Sequence, residues 1–183
     1  SNSMACVIYT SGSTGTPKGI MIKNKGIVRL VKNTNFANFN NEDRILTTAP
    51  IEFDASIFEI WGSLLNGGTL YILDKYKMLM PGILKRYIGE YSITKMWMTA
   101  PLFNEMVQSD ITIFEKLKYL IIGGAALSVE HVNRVKNRYK GLNLINGYGP
   151  TENTVFSTYH VINEEYTYRV PIGKPISNST AYI

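Results

Sequence analysis

The chain has 183 residues, 45% of them hydrophobic, and its formal net charge is +5. This length suits one α/β domain, and this composition is typical of a globular core rather than of a disordered segment. The Lys and Arg residues are scattered without interleaved aromatic residues, so the charge does not indicate nucleic-acid binding, although a mildly basic surface suits an anionic small ligand.

The sequence shows no pattern typical of a membrane-spanning segment or of a protein from an oxidising compartment. The longest apolar stretches, such as residues 117–126, are too short and too interrupted to span a bilayer. Cys6 is the single cysteine, so no disulfide framework is possible, and no signal peptide is visible. We therefore expect a cytoplasmic protein without membrane or nucleic-acid partners. Residues 1–3 look like a cloning scar and are left out of the fold prediction.

Short apolar runs bounded by turn residues alternate with segments of helical periodicity. The predicted strands are residues 5–10, 44–48, 69–73, 94–98, 118–122 and 142–146. This alternation predicts βαβ units, and thus an α/β fold with a doubly wound, mostly parallel sheet and helices on both faces. We expect residues 4–160 to contribute to this one sheet.

Two of the predicted helices have clear boundaries. Apolar residues recur at helical spacing from Ile57 to Leu65, with Asp54 or Ser56 as candidate N-caps and a glycine pair at 67–68 as the end. A second helix is predicted to open at Ser128. Its buried face would carry three residues: Val132, Val135 and Tyr139.

Polar or glycine-rich segments follow four of the predicted strands. They are residues 10–19, 50–56, 123–126 and 146–152. In open α/β sheets ligands bind beyond the carboxyl ends of the strands. We therefore expect these segments to meet along one edge and to form the binding site.

The first of these segments reads Tyr-Thr-Ser-Gly-Ser-Thr-Gly-Thr-Pro-Lys-Gly over residues 9–19. Its glycines, hydroxyls and free N–H groups can surround phosphate oxygens, and Lys18 adds a positive charge. Pro17 before Lys18 breaks the Walker A pattern, and no nucleophile elbow is present. His131 and His160 have no sequence neighbour that suggests a catalytic triad. The composition alone equally fits a flexible Ser/Gly hairpin.

The last segment reads Asn-Gly-Tyr-Gly-Pro-Thr-Glu over residues 146–152. It offers an aromatic face for a base, a hydroxyl for a phosphate and a carboxylate for Mg²⁺, which prefers oxygen ligands. A tight turn with a packed tyrosine would use the same residues. Both strings together, in this order, resemble the signatures of the adenylate-forming superfamily, which includes peptide synthetase adenylation domains, acyl-CoA synthetases and luciferase.

The resemblance implies a role for each motif residue. The residues implied to bind nucleotide are Thr10, Ser11, Gly12, Ser13, Thr14, Gly15, Lys18, Gly123, Gly124, Ala125, Asn146, Gly147, Tyr148, Gly149 and Thr151. Of these, the loop residues would grip the β- and γ-phosphates, Asn146 and Tyr148 would contact adenine, and Ala125 would contribute backbone only. Thr10, Lys18 and Glu152 are the implied catalytic residues, and Glu152 is the implied Mg²⁺ ligand.

Asp54 stands in a Phe-Asp-Ala-Ser context at the start of the predicted helix. A carboxylate at such a position is more often a helix N-cap than a ligand. In peptide synthetases, however, the matching Asp pairs with the α-amino group of the amino-acid substrate, whereas acyl-CoA synthetases have no amine to bind. By resemblance, Asp54 shifts the expected substrate from acyl chains to amino acids.

The substrate-pocket positions of the family can be placed because the flanking motifs align without gaps. They fall on Asp54, Ala55, Phe58, Trp97, Ile121, Gly123, Gly147, Val155 and Phe156. One carboxylate among apolar walls suits an aliphatic α-amino acid, although the aromatic residues are also compatible with an ordinary core. The set resembles that of valine-activating domains, in which Thr is common at the position of Val155. We therefore expect valine, with isoleucine, leucine and 2-aminobutyrate left open.

The resemblance implies that residues 4–183 form part of an adenylation domain in a longer parent. The parent would join an amino acid to ATP, giving aminoacyl-AMP and pyrophosphate, and pass it to the phosphopantetheine thiol of a peptidyl carrier domain. The family's bridging Lys lies outside this stretch, so the chain alone should be almost inactive. Alternatives are another adenylate-forming ligase, such as an acyl-CoA synthetase or a D-alanine–carrier-protein ligase, or a nucleotide-binding module without turnover.

Overall fold

A computed structural model describes residues 1–12 and 15–182. The strands of these residues are β1 (Met4–Thr10), β2 (Lys18–Lys23), β3 (Arg44–Thr47), β4 (Thr69–Ile72), β5 (Lys95–Thr99), β6 (Tyr119–Gly123), β7 (Asn143–Tyr148), β8 (Thr158–Val161) and β9 (Lys174–Pro175). The α-helices are α1 (Asn24–Val31), α2 (Ala55–Leu64), α3 (Lys75–Met78), α4 (Pro81–Glu90), α5 (Ala100–Asp110) and α6 (Val129–Arg138). Short 3-10 helices lie at Ile111–Phe114 and Thr151–Asn153.

The main sheet has the strand order β4-β3-β5-β6-β7-β8-β9. Its first five members are parallel, and β8 and β9 extend it in antiparallel fashion. Five of the predicted strands form the parallel part with shifts of only one or two residues at their ends, which confirms the predicted α/β fold. The prediction did not contain β2, β8 or β9.

Each side of the main sheet is covered by its own hydrophobic cluster. Side chains alternate along the central strands, so Leu120 and Ile122 point to one side and Ile121 points to the other. The first side packs against α4, α5 and α6, and we call it the α5 face. The second packs against α1, α2 and the β1–β2 hairpin, and we call it the α2 face. Helices on both faces are therefore confirmed.

The prediction that residues 4–160 contribute to one sheet is wrong for the first strand. β1 pairs antiparallel with β2 in a separate two-stranded sheet. In β2 the exposed Gly19, Met21 and Lys23 alternate with the more deeply placed Ile20 and Ile22, the pattern of a ribbon that is buried on one side only. The hairpin rests on the α2 face instead of entering the main sheet.

The helix from Ala55 and the helix after Ser128 both form, but the capping contact predicted for the first one does not. The Asp54 side chain makes no capping hydrogen bond, and the Ser56 hydroxyl donates to the carbonyl of Phe53 at 2.7 Å. Gly67 ends the first helix region with φ of +75°, a conformation that costs glycine little. Within the described residues, every helix is too short or too polar to cross a bilayer.

Candidate functional site

The carboxyl ends of the parallel strands bring two distant segments together. One Oδ atom of Asp54, at the start of α2, accepts a hydrogen bond of 2.8 Å from the hydroxyl of Thr151. These residues are 97 positions apart in the chain. On the neighbouring strands Gly123 pairs with Gly147, so the ends of β6 and β7 lie side by side. Three of the four predicted segments thus share this edge of the sheet.

The Asp54 carboxylate is half-buried and is not used for helix capping. In the described part of the chain, neither of the two salt bridges involves it. A carboxylate can accept about four hydrogen bonds, so the contact with Thr151 leaves acceptor capacity for a cationic group. Ala55 and Phe58, which follow Asp54 on α2, are apolar and buried.

The predicted pocket residues other than Asp54 form one packed group on the α2 face. The members with side chains beyond Cα are Ala55, Phe58, Trp97, Ile121, Val155 and Phe156, and all of them are buried. The rings of Phe58 and Phe156 lie 5.6 Å apart between centroids. The indole Nε1 of Trp97 is buried and has no hydrogen-bond partner among the described residues. Apart from this indole nitrogen, the group is apolar, and its side chains pack against one another.

Gly123 and Gly147 allow the backbone and rings to approach each other closely here. A Cβ on Gly147 would lie 2.7 Å from the Phe156 ring, and one on Gly123 would lie 2.4 Å from the Gly147 carbonyl oxygen. Both distances are shorter than any ordinary carbon contact. These glycines are therefore required by packing at the site, independently of any ligand.

The segment implied to hold adenine shows a mixture of exposed and occupied groups. Tyr148 is half exposed and available for stacking, and Ala125 is exposed beside Gly124, whose φ is +79°. Asn146 is buried, and its Nδ2 donates to the carbonyl of Pro171 at 2.8 Å. Gly149 packs closely against the carbonyl of Val155. A Cβ on Gly149 would lie 2.4 Å from that carbonyl oxygen. Their contacts with a nucleotide remain predictions.

The implied phosphate loop lies between the strands of the hairpin. Ser13 and Thr14 lie outside the described residues. The N–H of Gly15 donates to the carbonyl of Gly12 at 2.8 Å, and Lys18 is exposed. Among the described residues, no hydrogen bond joins Thr10, Ser11 or the rest of this loop to the Asp54–Thr151 region. Through its described residues, the fourth predicted segment meets the site where β2 contacts the 3-10 helix at Thr151–Asn153.

Glu152 is exposed in the 3-10 helix next to Thr151. It borders a cavity of about 540 Å³, to which β2 contributes Met21 and Lys23 and α1 contributes Arg29. Over residues 1–12 and 15–182, no three metal-binding side chains cluster. A single carboxylate is nevertheless compatible with Mg²⁺, which usually binds through one or two carboxylates together with substrate phosphates.

Glu59 is a buried carboxylate that the sequence analysis missed, and it joins two elements near this edge of the sheet. Glu59 is fully buried on α2 and accepts hydrogen bonds from the Thr48 N–H at 2.8 Å and the Thr48 hydroxyl at 2.7 Å. Burial raises the pKa of Glu59 to about 7. It thereby joins the end of β3 to α2, the helix that carries Asp54 and Phe58. The signal was a lone Glu inside an otherwise apolar stretch of helix.

The structure gives His131 a partner that the sequence did not reveal. Its Nδ1 lies 2.7 Å from the Ser128 hydroxyl, three residues before it at the start of α6. Its Nε2 lies 2.9 Å from the side-chain nitrogen of Gln108 rather than from a carboxylate. His160 pairs with the Tyr166 hydroxyl, and burial lowers its pKa. The described residues thus give neither histidine the carboxylate of a triad.

Comparisons with known proteins agree with the motifs and the fold. A family model described as AMP-binding enzyme matches residues 1–183. Tyrocidine synthase 3 of Brevibacillus parabrevis is 48% identical over 180 residues, which are 98% of this chain and 3% of that protein. Surfactin synthase subunit 2 of Bacillus subtilis is 51% identical over 98% of this chain and 5% of that protein.

Solved structures are similar over nearly the whole chain. A nonribosomal peptide synthetase (NRPS) protein containing adenylation and PCP domains is 42% identical with a TM-score of 0.90, over 96% of this chain and 36% of that one. The N-terminal subdomain of Klebsiella oxytoca NpsA, in complex with 3-hydroxyanthranilyl-AMSN, is 27% identical with a TM-score of 0.86, over 96% of this chain and 46% of that one. The chain spans less than half of each of these relatives. It belongs to the family of AMP-binding enzymes, as its resemblance to the adenylate-forming superfamily predicted.

Proposed function

We propose that residues 4–183 are the central part of an adenylation domain whose parent activates an amino acid with ATP. The observation that carries this proposal is the hydrogen bond between Asp54 and Thr151. It places a carboxylate suited to an α-ammonium group directly beside a residue of the implied nucleotide segment. An amino acid held by Asp54 would thus have its carboxylate close to the bound nucleotide.

The residues of this chain would act mainly by positioning. Asp54 would hold the ammonium group, and Tyr148 would stack on the adenine while Gly123 and Gly124 line its other side. Thr10 and Lys18 would hold the outer phosphates, so that the substrate carboxylate attacks the α-phosphate and pyrophosphate leaves. Glu152 would hold Mg²⁺, which would offset the negative charge of the phosphates. Such positioning and charge neutralisation account for most of the catalysis of phosphoryl chemistry.

The shape of the apolar group favours a small branched side chain. Phe58 and Phe156 fill the volume that a large aromatic substrate would need. Polar side chains would be desolvated against Ile121 and Val155, both of which are buried. Valine is therefore the proposed substrate, although one methylene is worth only about 1–3 kcal/mol in an apolar pocket.

The second half of the reaction would require a carrier domain. One solved relative is described as containing adenylation and PCP domains, and it covers 96% of this chain at 42% identity. We infer that the parent transfers the aminoacyl group to a phosphopantetheine thiol on such a domain. The chain covers only 3% and 5% of the tyrocidine and surfactin synthases, which supports a multidomain parent.

A substrate panel in the parent enzyme tests the proposal. Amino-acid-dependent pyrophosphate exchange should be highest with valine and lower with isoleucine, leucine and 2-aminobutyrate. Phenylalanine, glutamate and lysine should give the least exchange. A preference for one of these three would contradict the pocket assignment, and fatty acids as better substrates than any amino acid would contradict the class.

Threonine, added to this panel, gives the sharpest comparison because it has nearly the shape of valine. The unpaired Nε1 of Trp97 could donate to its hydroxyl, which valine lacks. If that donor faces the substrate, replacing Trp97 by Phe should lower the threonine-to-valine ratio. If valine is the substrate and the donor faces away, the ratio should be low in both proteins.

A further inference from the structure

Arg29 ties α1 to the segment that follows the nucleotide motif. Its guanidinium donates to the carbonyl of Asn153, to that of Thr154 at 3.3 Å and to that of Phe156 at 3.1 Å. It also donates to the Ser179 hydroxyl at 2.6 Å. Arg29 is half-buried, and burial lowers its pKa, but an arginine side chain remains charged in proteins. One cation thus gathers several carbonyls that lie about 125 residues away in the chain.

The segment that Arg29 holds has an unusual backbone. Thr154 and Val155 both adopt the left-handed region, with φ of 57° and 67°. This region is disfavoured for residues other than glycine, and most of all for β-branched residues such as these. Such a conformation persists only where surrounding contacts enforce it, and it is concentrated at functional sites.

Helix α1 presses on the same segment at a second point. A Cβ on Gly26 would lie 2.5 Å from the Thr154 hydroxyl oxygen, so the helix approaches Thr154 as closely as a glycine permits. Thr154 itself is buried, and its carbonyl also accepts the N–H of Phe156 at 3.0 Å. Gly26 and Arg29 lie three positions apart and therefore share one side of the helix.

The backbone held in this way carries two walls of the amino-acid pocket. Val155 and Phe156 are buried in the group that includes Phe58, and the Phe156 ring covers Gly147. A small change in the turn at Thr154 would move both side chains. Backbone hydrogen bonds also hold this turn, such as that from the Ser157 N–H to the Tyr148 carbonyl at 2.8 Å, whereas Arg29 contacts it with a charged side chain from a separate helix.

We propose that Arg29 is a positioning residue for amino-acid selection, acting through the carbonyls of Asn153, Thr154 and Phe156. It contacts no substrate in this scheme. Its charge keeps the left-handed turn in place, and the turn sets the positions of Val155 and Phe156. This inference rests on the proposed function, because it concerns the pocket of the same site.

The test uses pyrophosphate exchange by the full-length parent with Arg29→Met and Arg29→Lys. Loss of a charged hydrogen-bond donor typically changes an equilibrium constant by about 10- to 100-fold. We expect Arg29→Met to raise KM for the preferred amino acid by about tenfold or more and to flatten the ranking among aliphatic amino acids. KM for ATP should change by less than about twofold. Arg29→Lys should recover part of the loss, because an ammonium can reach fewer of the carbonyls.

Hydrogen–deuterium exchange of the same proteins separates positioning from general destabilisation. In Arg29→Met, peptides covering residues 150–158 should exchange faster, whereas those from α4 to α6 should not change. Arg86→Met, which removes an exposed arginine from α4, serves as the matched control and should behave as wild type.

Two results would overturn the inference. One is an unchanged amino-acid ranking in Arg29→Met, and the other is a parallel rise of both KM values with faster exchange throughout the protein. Failure of the proposed function looks different, because the wild-type parent would then show no amino-acid-dependent pyrophosphate exchange. In that case, an unchanged rate of hydrogen–deuterium exchange at residues 150–158 in Arg29→Met would still overturn the role of Arg29 in the turn.

Discussion

The two faces of the main sheet differ in the residues that they bury. The α5 face is mostly apolar, and Phe103, Phe114 and Leu120 are completely buried there, although α6 also buries His131. The α2 face has an apolar cluster of its own, but it also buries Glu59, Thr48 and Thr154 and contains the close glycine contacts. Buried polar groups and strained backbone are costly unless they are paired or functional. This difference is consistent with one face that mainly stabilises the fold and another that carries the proposed site.

The largest expected effect that separates the faces is at Asp54. Asp54→Ala in the parent should lower amino-acid-dependent pyrophosphate exchange by about two to four orders of magnitude, because removal of one partner of a desolvated ion pair costs about 3–5 kcal/mol. ATP affinity, measured by equilibrium binding, should change little.

Asp54→Asn provides the matched variant for that experiment. An asparagine oxygen can still accept the hydrogen bond from Thr151 but cannot pair with an ammonium group as an ion. Activity near wild type in Asp54→Asn would show that the contact with Thr151, and not the charge, is what matters.

On the opposite face, a large truncation should affect stability without affecting selection. Phe103→Ala should lower the free energy of unfolding by about 3–5 kcal/mol, because Phe103 is completely buried and packs 5.7 Å from Phe114 between ring centroids. Urea denaturation of the 183-residue chain measures this loss. In the parent, below its unfolding temperature, the ranking of amino acids should stay the same.

A changed ranking in Phe103→Ala would break the division between the faces. It would mean that packing on the α5 face reaches the pocket through the strands. The matched truncation on the α2 face, Phe58→Ala, should change the ranking because Phe58 lies in the proposed pocket.

A smaller, pH-dependent effect is expected at Glu59. Burial raises its pKa from 4.5 to about 7 in the folded chain, so the folded state binds more protons than the unfolded state between these values. The stability that this group contributes is present below about pH 4.5 and is lost as the pH rises through about 7, by about 3 kcal/mol at most.

Glu59→Gln removes this titration while keeping the shape of the side chain. Urea denaturation of both proteins at several pH values should show wild type losing stability relative to Glu59→Gln between about pH 5 and about pH 8. Other titrating groups cancel in the difference between the two proteins. A difference that does not depend on pH would contradict the raised pKa and would leave Glu59 as a simple hydrogen-bond acceptor.

Much of the architecture followed from the sequence alone. Short apolar runs such as residues 118–122 predicted the parallel strands. Apolar residues at helical spacing and a terminal glycine predicted the helix from Ala55. These signals are local, because burial on both faces and a helical repeat each leave a pattern within about ten residues. Two motifs with many specified positions likewise identified the family, and the comparisons confirmed it.

What the tertiary structure decided involves residues far apart in the chain. The separate hairpin depends on β1 pairing with β2, and an apolar run such as residues 5–10 does not state its partner. The contact of Asp54 with Thr151 replaced the helix cap expected from local rules. Arg29 resembled any surface arginine until the fold placed carbonyls about 125 residues away around it. Local patterns specify which elements form, whereas burial and hydrogen bonding between distant segments decide which side chains make the site.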